Sequence, residues 1–109
     1  MTTGDDNNID VTKNIKIIEW LKSELLTTIA TLFELLIQGK NIGQEVLVDV
    51  LANIVMVAYL LGKRLGINFS TIDMKIEDKI RLGILERHKV EEWYGDLSNL
   101  KQYVSRNRN

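Results

Sequence analysis

Apolar residues recur at helical spacing through most of the chain. Across residues 11–38 they return every three or four positions, the period of an α-helix. A second segment, up to Arg64 or Leu65, is apolar on nearly every face, and a third follows over about 71–87. No stretch alternates apolar and polar residues as a half-buried strand does. The pattern predicts an all-α fold with two long antiparallel helices, a third helix and a short C-terminal helix.

Glycine and polar residues mark the expected ends of these helices. Proline is absent, Gly39 and Gly66 follow the two long segments, and Gly95 precedes the last helix, over about 96–105. The expected N-caps are polar residues at the helix starts, namely Asp10 or Thr12, Asn41, Ser70 and Asp96. Residues 1–10 and 106–109 are polar and are predicted to be disordered tails. One helical domain over 11–105 remains.

The two long helices carry more apolar surface than one helical pair can bury. Each is apolar over more than one stripe, and monomers rarely leave such faces exposed to water. Pairing two such helical hairpins would bury them in a four-helix bundle. The pattern therefore predicts a homodimer or homotetramer, with the bundle core completed by oligomerisation.

Polar residues interrupt the second helix at four-residue intervals. Glu45, Asp49 and Asn53 span roughly 80° of one helix face at 100° per residue. On the first helix a comparable arc holds two acids and three threonines, namely Glu24, Thr27, Thr28, Thr31 and Glu34. Oxygen-only clusters suit Mg²⁺, which often binds substrate phosphates as well. The alternative is that each stripe is the solvated face of an amphipathic helix, and spacing alone leaves both interpretations open.

Composition excludes several classes of function. A net charge of −1 does not favour nucleic acid or an anionic membrane as partner. The absence of cysteine excludes disulfides and thiolate chemistry, and no P-loop, GxGxxG or zinc spacing occurs. No signal peptide is recognisable, and the charge-free stretch between Asp49 and Lys63 is shorter than the about 20 residues that a bilayer needs. We expect a cytoplasmic protein with no nucleic-acid or membrane partner.

Three segments resemble a known family. ELLTTIATLFELLIQG, EVLVDVLANIVMVAYLLGKRLGI and YGDLSNLKQY are similar to the MazG-like branch of the all-α nucleotide pyrophosphohydrolases. The similarity spans about residues 14–103. Active members carry E-x-x-E on one helix and E-x-x-D on the next, and these acids hold Mg²⁺. The resemblance implies a helical enzyme that cuts nucleoside triphosphates to the monophosphate and pyrophosphate.

Only part of the family's acid set matches this sequence. Glu24 matches the first acid of the first pair, and Asp49 matches the last acid of the second. Thr27 and Val46 stand where the other two acids are expected. Glu45 is displaced from the expected position by one residue, which turns a helical side chain by about 100°. We expect weak or absent pyrophosphohydrolase activity.

The resemblance and the two polar stripes together give a set of predicted site residues. The predicted ligands of a possible Mg²⁺ are Glu24, Asp49 and Glu45, and the predicted substrate contacts are Asn53, Lys79 and Glu34. Lys79 is included because relatives carry a lysine on the third helix. Two alternatives to an active enzyme remain open, a degenerate nucleotide-binding or regulatory module and a purely structural helical dimer.

Three further residues have structural interpretations. His88 lacks a second histidine or a nucleophile and is taken as structural or exposed. Trp93 and Tyr94 are expected to anchor the final helix on the core, with base stacking as the alternative.

Overall fold

The computed structural model describes the backbone of residues 3–39 and 41–107, and the side chains of 10–39 and 41–106. Five helices occupy this part of the chain: α1 (Thr3–Gln38), α2 (Gln44–Arg64), α3 (Phe69–Leu85), α4 (Lys89–Tyr94) and α5 (Asp96–Asn107). The described ranges contain no strand. The all-α prediction is confirmed.

The chain forms two compact units, residues 1–68 and residues 69–109. In the first unit α1 packs against α2. Asn14, near the start of α1, donates from Nδ2 to the carbonyl of Arg64, the last residue of α2, at 3.1 Å. Asn53, further back on α2, donates to Thr28 of α1 at 2.9 Å. The two long helices are therefore antiparallel, as the sequence predicts.

Two helix starts differ from the predicted ones. α1 begins at Thr3, so residues 3–10 of the predicted tail are helical, and the predicted caps Asp10 and Thr12 lie inside the helix. This polar segment has no apolar period to reveal a helix, and no proline interrupts it. Residues 1, 2, 108 and 109 of the predicted tails lie outside the described residues. α2 is capped at Gly43, without a side-chain hydrogen bond, and not at Asn41.

The predicted end of α2 is confirmed. The N–H of Ile67 donates to the carbonyl of Gly62 at 2.9 Å, and the N–H of Gly66 donates to Lys63 at 3.0 Å. Gly66 has φ of 88°, the left-handed conformation that this closing motif requires and that glycine adopts without a Cβ clash. Gly39 after α1 also has positive φ, 73°.

The second unit contains one helix that the sequence does not predict. Residues 89–94 form α4, with His88 as its N-cap, and the His88 Nδ1 accepts a hydrogen bond from the N–H of Val90 at 3.1 Å. A six-residue helix is too short to show an apolar period. α3 and α4 both pack against α5. α3 begins at Phe69 and α5 at Asp96, so Ser70 and Asp96 lie inside the first turns of their helices.

Few apolar side chains are fully buried in the described part of the chain. Val50 and Val57 of α2 are 8% and 2% exposed, and Ile80 of α3 is 4% exposed. One described helix, α2, is long and apolar enough to cross a membrane, a test that the core helix of a soluble protein also passes. The four-helix core expected from oligomerisation is not shown by one chain and stays a prediction.

Candidate functional site

A polar junction joins the two long helices near their middle. The Asn53 Nδ2 donates to Glu24 Oε2 at 3.0 Å and to Thr28 Oγ1 at 2.9 Å. Glu24 and Thr28 stand four residues apart, so both side chains lie on the same face of α1. Asn53 reaches both from the facing helix. These three residues are called the Asn53 junction below.

A second polar contact fixes the other end of the helix pair. Besides the Asn14 donation described above, the Arg64 Nη1 donates to Asn14 Oδ1 at 3.4 Å. Arg64 lies eleven positions beyond Asn53 on α2, three turns away. Two separated hydrogen-bonded contacts, each needing a particular pair of residues, specify one register between α1 and α2.

The polar stripe of α2 has two different environments. Asn53 is half-buried against α1, whereas Glu45 and Asp49 are exposed. On α1, Thr28 is half-buried and Glu24 is exposed while accepting the Asn53 hydrogen bond. The interpretation of a solvated helix face thus fits Glu45 and Asp49. The interpretation of an interhelical polar contact fits Asn53.

A Mg²⁺ centre requires several oxygen ligands close together. Among the side chains of residues 10–39 and 41–106, no group of three or more His, Cys, Asp or Glu could hold a metal ion. The predicted ligands Glu24, Asp49 and Glu45 therefore do not form such a group. The described residues of one chain do not fit a multi-carboxylate Mg²⁺ centre. The assignment of each as an individual ligand stays a prediction.

The predicted substrate contacts lie on three helices. Asn53 belongs to the junction, Glu34 is exposed on α1, and Lys79 is exposed on α3. Glu34 and Lys79 belong to different compact units. Their roles in binding a substrate stay predictions.

The two positions that lack the family's acids are accessible. Val46 is 47% exposed, and Thr27 is exposed with its carbonyl accepting from the Thr31 hydroxyl at 3.0 Å. A carboxylate at either position would remain solvated, because neither side chain is buried. Burial of these two positions therefore does not explain why the family's acids are absent from them.

A family comparison identifies the fold. The model of the MazG-like family matches residues 11–97, from α1 to the start of α5. The chain belongs to the MazG-like family. No curated protein and no solved structure matches this MazG-like chain significantly. Membership supports a nucleotide pyrophosphohydrolase-like helical fold, as the resemblance of the three segments implies.

One polar contact in the second unit was not predicted. The N–H of Ser98 donates to Glu91 Oε1 at 2.9 Å, and the Ser98 hydroxyl donates to the other carboxylate oxygen. The hydroxyl and the backbone N–H of Ser98, with a lesser effect of the Leu97 N–H, hold the pKa of Glu91 below its ordinary value of 4.5, while burial acts to raise it. Glu91, on α4, thereby caps the N-terminus of α5. The sequence signal for this contact is an acid, Glu91, that precedes Ser98 by seven residues with Gly95 in the turn between them.

The aromatic residues of α4 do not anchor it. Trp93 and Tyr94 are 65% and 71% exposed, so the expected anchoring role is wrong for the described chain. Their rings meet edge to face with centroids 6.5 Å apart, and Lys89 Nζ lies 5.4 Å from the Trp93 ring centre. The interpretation of His88 as structural or exposed is confirmed, since it is exposed and caps α4.

Proposed function

We propose that this MazG-like chain is a catalytically degenerate relative of the nucleotide pyrophosphohydrolases. It binds nucleotides or regulates a partner through its helical fold, and it releases pyrophosphate from nucleoside triphosphates weakly or not at all. The observation that carries this proposal is the Asn53 junction. The family acid Glu24 is hydrogen-bonded to an amide, and no cluster of three acids forms around it in the described residues.

Charge explains why this arrangement disfavours catalysis. A triphosphate brings several negative charges, and Mg²⁺ ions that neutralise them need carboxylates on more than one side. Thr27 and Val46 remove two of the four expected acids. A threonine hydroxyl is a weak neutral ligand, and valine supplies no ligand at all. Glu24 and Asp49 together carry only two negative charges.

Nucleotide binding needs fewer groups than hydrolysis. The proposed substrate contacts are Asn53 and Glu34 in the first unit and, taken by itself, Lys79 in the second unit as a cation that can bind a phosphate. Glu24, Asp49 and Glu45 remain the proposed ligands should a single Mg²⁺ accompany the nucleotide. We also propose that the protein is cytoplasmic, where free nucleotides are available to it.

The test is a panel of nucleoside triphosphates assayed for pyrophosphate with and without Mg²⁺ or Mn²⁺. Equilibrium dialysis of the same nucleotides measures binding independently of cleavage. We expect no metal-dependent pyrophosphate release, or only slow release, and saturable binding of at least one nucleotide that Lys79→Ala weakens. Fast hydrolysis that Glu45→Ala abolishes would contradict the proposal, because Glu45 would then be a working ligand.

A further inference from the structure

The second unit contains a cleft between α3 and α5. Its volume of ≈ 540 Å³ is within the roughly 300–1,000 Å³ of small-molecule sites. Half-buried Ile84 lines the cleft from α3. Five residues line it from α5, namely Ser98, Lys101, Gln102, Ser105 and Arg106. All of them belong to the same compact unit, and the cleft is called the α5 cleft.

The helical period of α5 sets two cations on the flanks of a neutral polar row. At 100° per residue, Ser98, Gln102 and Ser105 fall within about 60° of the helix circumference. Lys101 and Arg106 lie on opposite sides of this row, roughly 140° apart. Both cations are exposed, as are Gln102 and Ser105. Their long side chains can therefore converge on a ligand that lies along the row.

The two cations of the α5 cleft are not neutralised by acids. Residues 97–109 contain three basic and no acidic residues, so neither Lys101 nor Arg106 has an acid three or four positions away on its own helix. Among the residues that the structure describes, neither cation forms an ion pair. The positive charge of the cleft is thus available to an anion.

The acids that this unit does contain include two with partners of their own. On α3, Asp78 pairs with Arg81. On α4, Glu91 accepts both hydrogen bonds of Ser98, which engages that hydroxyl and brings a negative charge to the Ser98 end of the cleft. An anion is therefore expected at the other end, where Lys101 and the residues after it lie.

The helix dipole explains only one of the two cations. Arg106 lies in the last turn of α5, where a positive charge is favourable even without a ligand. Lys101 lies more than a turn further back, where the dipole contributes little. An unpaired lysine at the edge of a cleft is the feature that calls for a ligand.

We propose that the α5 cleft binds a small organic phosphate. Lys101 and Arg106 hold the phosphate by charge-assisted hydrogen bonds, with further donors from the Gln102 amide and the Ser105 hydroxyl. Ile84 contacts the apolar part of the same molecule. A phosphate monoester carries about two negative charges at neutral pH, which two cations match.

Two other ligand classes fit the α5 cleft less well. A monocarboxylate would leave one of the two cations without a partner. Nucleic acid binding draws on many phosphate contacts, and two cations supply few of them. The cleft uses none of the proposed nucleotide contacts, so this inference does not depend on the proposed function.

Isothermal titration of the full chain with phenyl phosphate at about pH 7.5 tests the two cations. We expect one saturable site with a Kd below about 1 mM. Lys101→Ala and Arg106→Ala should each weaken binding about tenfold while helical circular dichroism is retained. Lys75→Ala is the matched control, since Lys75 is exposed on α3 and does not line the cleft, and it should change the Kd less than about twofold. No saturable site, or equal effects of Lys75→Ala and Lys101→Ala, would overturn the proposal.

A ligand series tests the charge and the apolar contact separately. Phenyl sulfate keeps the ring but carries one negative charge, and inorganic phosphate keeps the charge but lacks the ring. Each should bind more weakly than phenyl phosphate, by about threefold or more. Equal affinities across the series would refute an organic phosphate as the ligand.

Amide chemical shifts in NMR spectra of the labelled chain locate the bound molecule. Phenyl phosphate should shift the amide signals of residues 98–106 and of Ile84. It should leave those of residues 10–38 unchanged. Shifts confined to residues outside the α5 cleft would contradict the assignment.

Discussion

Exchanging the polarity of the Asn53 junction gives a quantitative test of its geometry. Asn53→Asp keeps the shape of the side chain but replaces the amide donor with a carboxylate, 3.0 Å from Glu24 Oε2. The Thr28 hydroxyl can reverse and donate to the new carboxylate, so that contact survives. The contact with Glu24 is lost and becomes a repulsion.

The magnitude follows from these two effects. The lost hydrogen bond costs about 1 kcal/mol, below the roughly 1.5–3 kcal/mol of hydrogen bonds to charged groups, because Glu24 is exposed. Two like charges at about 4 Å in a water-like medium repel by about 1 kcal/mol. We expect Asn53→Asp to lower the free energy of unfolding by about 2 kcal/mol, a fall of roughly 10 °C in Tm for a chain of this size.

The assay is urea and thermal unfolding followed by circular dichroism at neutral pH and low salt. Glu24→Gln is the control, because its carbonyl oxygen still accepts from Asn53, and it should cost less than about 0.5 kcal/mol. Glu24→Gln combined with Asn53→Asp restores a donor and an acceptor with reversed polarity and should recover most of the loss. If Asn53→Asp is as stable as the wild type, or if adding Glu24→Gln gives no recovery, the hydrogen bonds assigned to the Asn53 junction are wrong.

Three other outcomes are expected. Because the pKa of Glu91 is lowered in the folded chain, its contribution to stability is present above the ordinary value of 4.5 and is lost as pH falls through the folded pKa. Ser98→Ala should reduce that loss, measured by unfolding between pH 7 and 3. The double variant Thr27→Glu with Val46→Glu places acids at two exposed positions. In thermal melts, Mg²⁺ at a hundred times its Kd should stabilise this variant by about 2.7 kcal/mol and should change the wild type little. Val57→Ala should cost about 2 kcal/mol in urea unfolding because Val57 is 2% exposed, whereas Val46→Ala, at 47% exposure, should cost well under half as much.

The long helices could be predicted because their apolar residues repeat over many turns. The end of α2 was also accessible, since Gly66 follows the last periodic residue and adopts positive φ. Residues 3–10 and α4 could not be predicted in this way. The first segment has one apolar residue and so no apolar period, and the second is shorter than two helical turns.

The sequence indicates which residues lie on the polar stripes but not which of them form hydrogen bonds with each other. Sequence spacing places Asn53 and Glu24 on the polar stripes of the two long helices, and the family pattern matches its acids to Glu24 and Asp49. The hydrogen bond in the structure joins Glu24 to Asn53, one turn further along α2. Helical period fixes which residues share a face, whereas the register between two helices depends on packing along their whole length. The contact between Glu91 and Ser98 could not be predicted for a similar reason, because a turn between two helices brings the two residues together.

Mg²⁺ binding to the wild-type chain tests the central claim most directly, the claim being that the acids of this MazG-like chain no longer form a metal centre. Isothermal titration calorimetry would compare the wild type, Glu24→Gln, and Thr27→Glu with Val46→Glu. We predict no saturable Mg²⁺ binding below several millimolar for the first two, and one saturable site in the variant with added acids. A stoichiometric Mg²⁺ site in the wild type that Glu24→Gln abolishes would contradict the account.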